Sequence, residues 1–140
     1  MILLVEDNRP FRQALRDAVQ TSFPGLQVRE AGCLAEADWI VKDQAPQLVL
    51  LDLALPDGNG LEWARRIQAE APDLTLVPCT NHDVLEYREA AQALGLTDFL
   101  VKQRLDWGRL HELLADADQS QGRPFAEAAD LSSSLRGVSC

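Results

Sequence analysis

The chain has 140 residues, the length of one domain and enough to bury a hydrophobic core. Its 13 basic and 22 acidic residues give a formal charge of −9 (13 − 22), which disfavours direct binding to nucleic acid or to an anionic membrane. No apolar run approaches the roughly 18 residues that a membrane helix needs, and residues 1–7 lack the basic stretch of a signal peptide, so we expect a cytoplasmic protein.

Five short runs rich in Val, Leu and Ile alternate with five longer segments of helical period. The strand candidates are residues 2–5, 26–28, 48–51, 74–77 and 99–101. The helix candidates, in which apolar residues recur every three or four positions, are residues 11–19, 34–41, 61–71, 84–94 and 107–117. Strict alternation predicts a parallel sheet with helices on both faces, because parallel strands need crossover connections. We therefore predict a doubly wound α/β fold with five strands.

The composition changes after about residue 118. Residues 119–124 are polar and contain Gly and Pro, and a serine triplet follows at 132–134. We expect residues 1–118 to form the domain and residues 119–140 to form a flexible C-terminal tail, because 22 residues are too few for an output domain.

The three cysteines, at positions 33, 79 and 140, form no CxxC motif. In a cytoplasmic protein this pattern predicts reduced thiols and no structural disulfide.

Chemically active side chains follow four of the predicted strands. Glu6 and Asp7 follow the first strand, Asp52 the third, Thr80 the fourth and Lys102 the fifth. Any one of them alone is typical of a helix cap or a solvated charge. Because parallel strands end at one edge of the sheet, all five are expected to converge there. Crowded carboxylates repel unless a cation neutralises them, and a hard divalent ion such as Mg²⁺ suits oxygen ligands.

With these residues the chain resembles the receiver domains of two-component response regulators, over residues 1 to about 118. The motifs are an acidic pair after strand 1, a D-x-x-x-P-x-x-x-G loop from Asp52 to Gly60, a Thr after strand 4, and an aromatic residue three positions before a Lys at strand 5. The resemblance implies the CheY-like, flavodoxin-like strand order 2-1-3-4-5.

The resemblance also implies a role for each site residue. Asp52 is the expected phosphoacceptor for a histidine kinase or phosphotransfer protein, with Mg²⁺ as cofactor. The expected metal ligands are Glu6, Asp7, Asp52 and the main-chain carbonyl of Ala54. Lys102 would contact the phosphoryl group, and Thr80 and Phe99 would form the switch pair. A downstream effector would bind the face of helix 4, strand 5 and helix 5, and a phosphorylation-linked homodimer is a further expected partner.

Four positions test the resemblance. Gln103 stands where the family has a proline in a cis peptide, and we expect a trans bond because cis costs about 2.5–4 kcal/mol before a non-proline residue. Asn81 is bulkier than the small residue usual after the switch Thr, and would crowd phosphoryl access. Ala54 and His82 occupy the positions at which the family tunes dephosphorylation. His82 would either orient water or be an exposed residue at a helix start.

Two alternatives remain at this stage. One is a receiver-like module that binds partners without phosphorylation, which Asn81 and Gln103 leave open and the full set of acids argues against. The other is a haloacid-dehalogenase-like phosphatase, which needs a second Asp two residues after the nucleophile as general acid, whereas residue 54 is Ala. We therefore expect a phosphoacceptor signalling domain with at most weak self-dephosphorylation, rather than an enzyme.

Overall fold

The computed structural model describes residues 1–81, 85–121 and 140, with the side chains of residues 120 and 121 excepted. Its main sheet has five parallel strands in the order β2-β1-β3-β4-β5, numbering only the strands of this sheet. The strands are β1 (Ile2–Val5), β2 (Val28–Ala31), β3 (Leu48–Leu51), β4 (Thr75–Thr80) and β5 (Leu100–Val101). The predicted doubly wound fold and its strand order are confirmed.

Five helices cover the two faces of the sheet: α1 (Arg9–Ser22), α2 (Leu34–Asp43), α3 (Gly60–Glu70), α4 (Leu85–Ala93) and α5 (Trp107–Gln121). Leu3 and Val5 of β1 point into a core shared with α2, α3 and α4. Ile2 and Leu4 point into a second core, shared with α1 and α5. Alternate side chains of one strand are therefore buried on opposite faces, which is why the strand is a continuous apolar run.

Some boundaries differ from the predicted ones. β2 begins two residues later than predicted and runs through Arg29 and Glu30, because these polar side chains find partners: Arg29 Nη1 lies 2.9 Å from Asp43, and Glu30 lies 2.9 Å from Arg12 Nε. β4 continues to Thr80, and α5 continues to Gln121, three residues past the boundary expected at 118. A small antiparallel hairpin of Ala54–Leu55 with Gly58–Asn59 and a 3-10 turn at Lys102–Arg104 were not predicted.

The expectation that all three cysteines are reduced is wrong for two of them. Cys33 and Cys140 form a disulfide across a sequence separation of 107, and Cys79 is free and buried. No local spacing could indicate this pair, since only the folded chain brings residue 140 to the β2–α2 loop.

The trans peptide bond expected before Gln103 is confirmed. The peptide bonds of the described residues are trans, and this includes the bond between Lys102 and Gln103. Within the described part of the chain, no helix has both the length and the apolar character needed to cross a membrane.

Candidate functional site

The carboxyl ends of β1 and β3 place two buried carboxylates side by side. The strand hydrogen bonding continues one residue past each strand, with Glu6 N donating to Ala31 O and Asp52 N donating to Val5 O, both at 2.9 Å. Glu6 is 3% exposed and Asp52 is 6% exposed, whereas the neighbouring Asp7 is exposed. One carboxylate oxygen from each of the three lies within 4.8 Å of the others. The predicted convergence of these acids is therefore present.

Lys102 supplies the countercharge for this acidic cluster. Its Nζ lies 3.2 Å from Asp52 Oδ2 and also forms an ion pair with Glu6, and its side chain is only 8% exposed. The ammonium group lies 5.0 Å from the centroid of the Phe11 ring, a cation–π distance. Lys102 therefore reaches the acidic cluster although Gln103, rather than proline, follows it.

Burial disfavours the charged forms of Glu6 and Lys102, whereas the contact between these two groups favours them. Burial raises the pKa of Glu6 to about 7, and the charge of Asp52 adds to this, while Lys102 and the N–H of Asn8 oppose it. For Lys102, burial would lower the pKa, but the hydrogen bond from Lys102 to Glu6 and the charge of Asp52 raise it above the ordinary value. The lysine is thus held in its charged form.

The loop between β3 and α3 shapes the surroundings of Asp52. Ala54 N donates to Asp52 Oδ1 at 3.2 Å, so the loop folds back on the carboxylate. Gly60, the last residue of the D-x-x-x-P-x-x-x-G motif, donates its N–H to Leu53 O at 3.0 Å. A Cβ at residue 60 would lie 2.6 Å from the Asp52 carbonyl oxygen. Only glycine permits this approach of α3 to the acidic site.

The same loop also contacts α2. The carboxylate of Asp57 accepts hydrogen bonds from Leu34 N at 2.8 Å and from Ala35 N at 3.0 Å, and so caps the start of α2. This contact connects the loop that follows Asp52 with the first turn of α2.

Arg12 is a site residue that the sequence analysis did not single out. Its Nη1 donates to the main-chain carbonyl of Glu6 at 2.6 Å, and its Nε donates to Glu30 at 2.9 Å. It thereby fixes the peptide group between the two acids of the β1–α1 loop. The sequence carries no signal for this role, because Glu30 lies 18 residues away and meets Arg12 only through the pairing of β1 with β2.

The predicted switch residues and the positions expected to affect dephosphorylation differ in their burial. Thr80 is the last residue of β4 and is fully buried at the same edge of the sheet. Phe99 precedes β5 and is half-buried, with the Arg88 guanidinium 4.7 Å from its ring centroid. Ala54 and Asn81 are exposed. His82 lies outside the described residues.

The donor set fits a hard divalent cation. Glu6, Asp7 and Asp52 offer carboxylate oxygens only, which is the ligand chemistry that Mg²⁺ prefers. The exposure of Asp7 leaves one side of the cluster open to solvent. Receiver domains generally bind Mg²⁺ at an acidic pocket of this kind.

Comparison with known proteins agrees with the fold and identifies the family. The family described as response regulator receiver domain matches residues 2–115. The chain is 32% identical over 117 residues to the photosynthetic apparatus regulatory protein RegA of Cereibacter sphaeroides, covering 84% of this chain and 62% of RegA. It is 33% identical over 141 residues to the DNA-binding transcriptional activator DevR/DosR of Mycobacterium tuberculosis, covering 98% of this chain and 63% of that protein.

Among solved structures, the non-phosphorylated HemR receiver domain of Leptospira biflexa superposes with a TM-score of 0.71 at 30% identity, covering 89% of this chain and 97% of that one. This chain thus matches nearly the whole of an isolated receiver domain, and spans less than two thirds of RegA and of DevR/DosR. Receiver domains are signalling domains rather than classical enzymes. The chain belongs to the receiver domain family of two-component response regulators.

Proposed function

We propose that Asp52 accepts a phosphoryl group from a phosphohistidine of a histidine kinase or phosphotransfer protein, and that the aspartyl phosphate switches a partner-binding face. The observation that carries this proposal is the environment of the Asp52 carboxylate. It is buried beside Glu6 and Asp7 at the carboxyl end of β3, with Lys102 Nζ 3.2 Å from its Oδ2. A carboxylate with cationic support of this kind suits phosphoryl transfer better than a helix cap.

In the proposed reaction a carboxylate oxygen of Asp52 attacks phosphorus, the phosphorus–nitrogen bond of the donor breaks, and the imidazole leaves and takes up a proton. The charge of Lys102 stabilises the negative charge beside the attacking group. Bound Mg²⁺, held by Glu6, Asp7, Asp52 and the carbonyl of Ala54, would neutralise charge on the transferring oxygens. Arg12 holds the Glu6 carbonyl and so keeps the acidic pair in place.

The switch follows from the charge that phosphorylation adds. A phosphoryl group brings about 1.5 to 2 negative charges and strong hydrogen-bond acceptors. The hydroxyl of Thr80, buried at the same edge, is the donor that would move towards it, and Phe99 would follow into the space that Thr80 leaves. The affected surface is the α4–β5–α5 face.

Two exposed large apolar side chains support this face as the docking surface. Leu85 at the start of α4 is 67% exposed, and Trp107 at the start of α5 is 53% exposed. Exposed apolar and aromatic side chains are typical of protein interfaces. The proposed occupants are a downstream effector protein or, after phosphorylation, a second copy of this chain, in the cytoplasm.

The phosphoryl group on Asp52 would be lost slowly by hydrolysis. Ala54, two residues after Asp52, offers no acid or base for hydrolysis of the aspartyl phosphate, so we expect only weak self-dephosphorylation. Ala54 and His82 are the positions that would set its rate. This distinguishes the proposed signalling role from that of a phosphatase.

The test is incubation of the full chain with Mg²⁺ and acetyl phosphate, followed by intact mass measurement. We expect a gain of one phosphoryl group that Asp52→Asn abolishes. The matched control is Asp73→Asn, since Asp73 is an exposed aspartate that precedes β4 at the opposite edge of the sheet, and this variant keeps the gain. A mass gain that persists in Asp52→Asn contradicts the assignment of the phosphoacceptor.

A second experiment separates the alternatives. Addition of beryllofluoride with Mg²⁺ should change the tryptophan fluorescence of the wild type and not that of Asp52→Asn. No Asp52-dependent response to either reagent would favour a partner-binding module that works without phosphorylation. Steady hydrolysis of a phosphomonoester would favour a phosphatase.

A further inference from the structure

The Cys33–Cys140 disulfide lies at the same edge of the sheet as the acidic site. Cys33 follows β2 and directly precedes α2, and it is completely buried, whereas Cys140 is exposed. A Glu36 carboxylate oxygen lies within 4.8 Å of both sulfurs. Glu36 Oε1 also accepts a hydrogen bond from Gly32 N at 2.7 Å, so this carboxylate holds the turn that carries Cys33.

We propose that Cys33 and Cys140 form a redox-responsive modification site, a reversible disulfide that fastens residue 140 to the β2–α2 loop and restrains the first turn of α2. In a reducing compartment such a bond persists only while an oxidant is present. One sulfur belongs to an exposed residue, which gives small thiols and disulfides access to the bond.

The third cysteine does not compete for this role. Cys79 is buried in β4, and burial raises the pKa of its thiol to about 12. The thiolate is the reactive form in thiol–disulfide exchange, so Cys79 remains a thiol under the conditions in which the other pair reacts.

The oxidant is a low-molecular-weight disulfide, RSSR. The Cys140 thiolate attacks one sulfur of RSSR, which forms a mixed disulfide and releases RS⁻. The Cys33 thiolate then attacks the Cys140 sulfur and releases the second RS⁻. The two protons lost by the cysteines convert both leaving groups into RSH, so the pair is oxidised by two electrons and RSSR is reduced to two thiols.

The residues on either side of Cys33 lie beside two side chains, Arg12 and Asp57, that belong to the surroundings of the acidic site. A Cβ at Gly32 would lie 3.1 Å from Arg12 Nη1, the same atom that donates to the Glu6 carbonyl. On the other side, the Leu34 and Ala35 amides donate to Asp57 in the loop that follows Asp52. The disulfide thus fastens a segment, residues 32–35, that lies beside Arg12 on one side and donates to Asp57 on the other.

The test equilibrates the full chain with mixtures of reduced and oxidised glutathione, traps free thiols by alkylation and maps disulfide-linked peptides. We expect a Cys33–Cys140 linked peptide whose amount rises with the fraction of oxidised glutathione and falls again on reduction. Cys140→Ser should abolish it, and the matched control Cys79→Ser should leave it unchanged. A glutathione adduct on Cys140 without the linked peptide, a link to Cys79, or a link that glutathione does not reduce would each overturn the proposal.

Hydrogen exchange tests the effect on α2. The amides of Leu34 and Ala35 should exchange several-fold more slowly in the oxidised protein than in the reduced one, and reductant should not change their exchange in Cys140→Ser. Equal exchange in both redox states would overturn the restraint. Both experiments are repeated in Asp52→Asn, where the same results are expected, so failure of the phosphoacceptor role leaves this proposal intact.

Discussion

Replacement of Lys102 by Met removes the charge that neutralises the acidic site. Met retains an unbranched apolar stem of similar length, so the packing against Phe11 is largely kept. Glu6 and Asp52 then lose the one buried cation with which they form ion pairs among the described residues. We expect the variant to be less stable than the wild type in the absence of divalent cations.

The size of this loss of stability can be worked out from the distance between Lys102 and Asp52. At the 3.2 Å that separates Lys102 Nζ from Asp52 Oδ2, and with an effective dielectric constant of about 20, the gross attraction is about 5 kcal/mol. Part of this is cancelled by the cost of burying the ammonium group. Loss of one partner of a buried pair costs about 3–5 kcal/mol, and we expect about 3 kcal/mol because exposed Asp7 gives water access to the cluster.

The assay is urea unfolding followed by tryptophan fluorescence, in EDTA and again in excess Mg²⁺. Mg²⁺ should restore more stability to the Lys102→Met protein than to the wild type, because the cation takes over the neutralising role. Lys42→Met is the matched control. Lys42 is 64% exposed and pairs with Asp38 on the surface of α2, so its loss should cost no more than about 0.5 kcal/mol.

Two results would refute this reasoning. A Lys102→Met protein as stable as the wild type in EDTA would mean that the carboxylates do not depend on the lysine. An equal gain from Mg²⁺ in both proteins would mean that Lys102 and the cation do not act on the same charges.

Three further predictions concern the elements around the site. Gly60→Ala places a Cβ 2.6 Å from a backbone oxygen and should lower the free energy of unfolding in urea by about 1–3 kcal/mol. The control Gly25→Ala, whose Cβ would meet no atom beyond its chain neighbours within 4 Å, should leave the free energy of unfolding unchanged or raise it slightly. Equal effects of the two substitutions would contradict the close approach at Gly60. Asp57→Ala removes the cap of α2 and should lower the free energy of unfolding by about 1 kcal/mol, and an unchanged urea midpoint would count against that cap. For Asp38, burial would raise the pKa, but hydrogen bonds from Lys42 and Arg66 lower it below the ordinary 3.8. Its stabilisation is therefore present at pH values above the ordinary pKa of 3.8 and is lost as the pH falls through the folded-state pKa. Asp38→Asn should cost about 0.5 kcal/mol at pH 7 and progressively less as the pH is lowered below 3.8, as thermal unfolding at a series of pH values would show.

The sequence by itself determined the architecture and most members of the site. Alternation of apolar runs with segments of helical period reports local conformation and burial, and these two properties are enough to predict five strands and five helices. In a parallel sheet the carboxyl ends of the strands share one edge, so Glu6, Asp52 and Lys102 could be expected to meet there. Gly60 also belongs to a recognisable local motif, the loop that begins at Asp52.

Only the tertiary structure decided which side chains pair across long stretches of the chain. Arg12 lies 18 residues from its partner Glu30, and the pairing of Cys33 with Cys140 spans 107 residues. Arg12 likewise reaches the Glu6 carbonyl only because α1 packs beside β1 and β2. Periodicity reports which face of an element is buried, whereas partners across the fold depend on the register and packing of several elements at once.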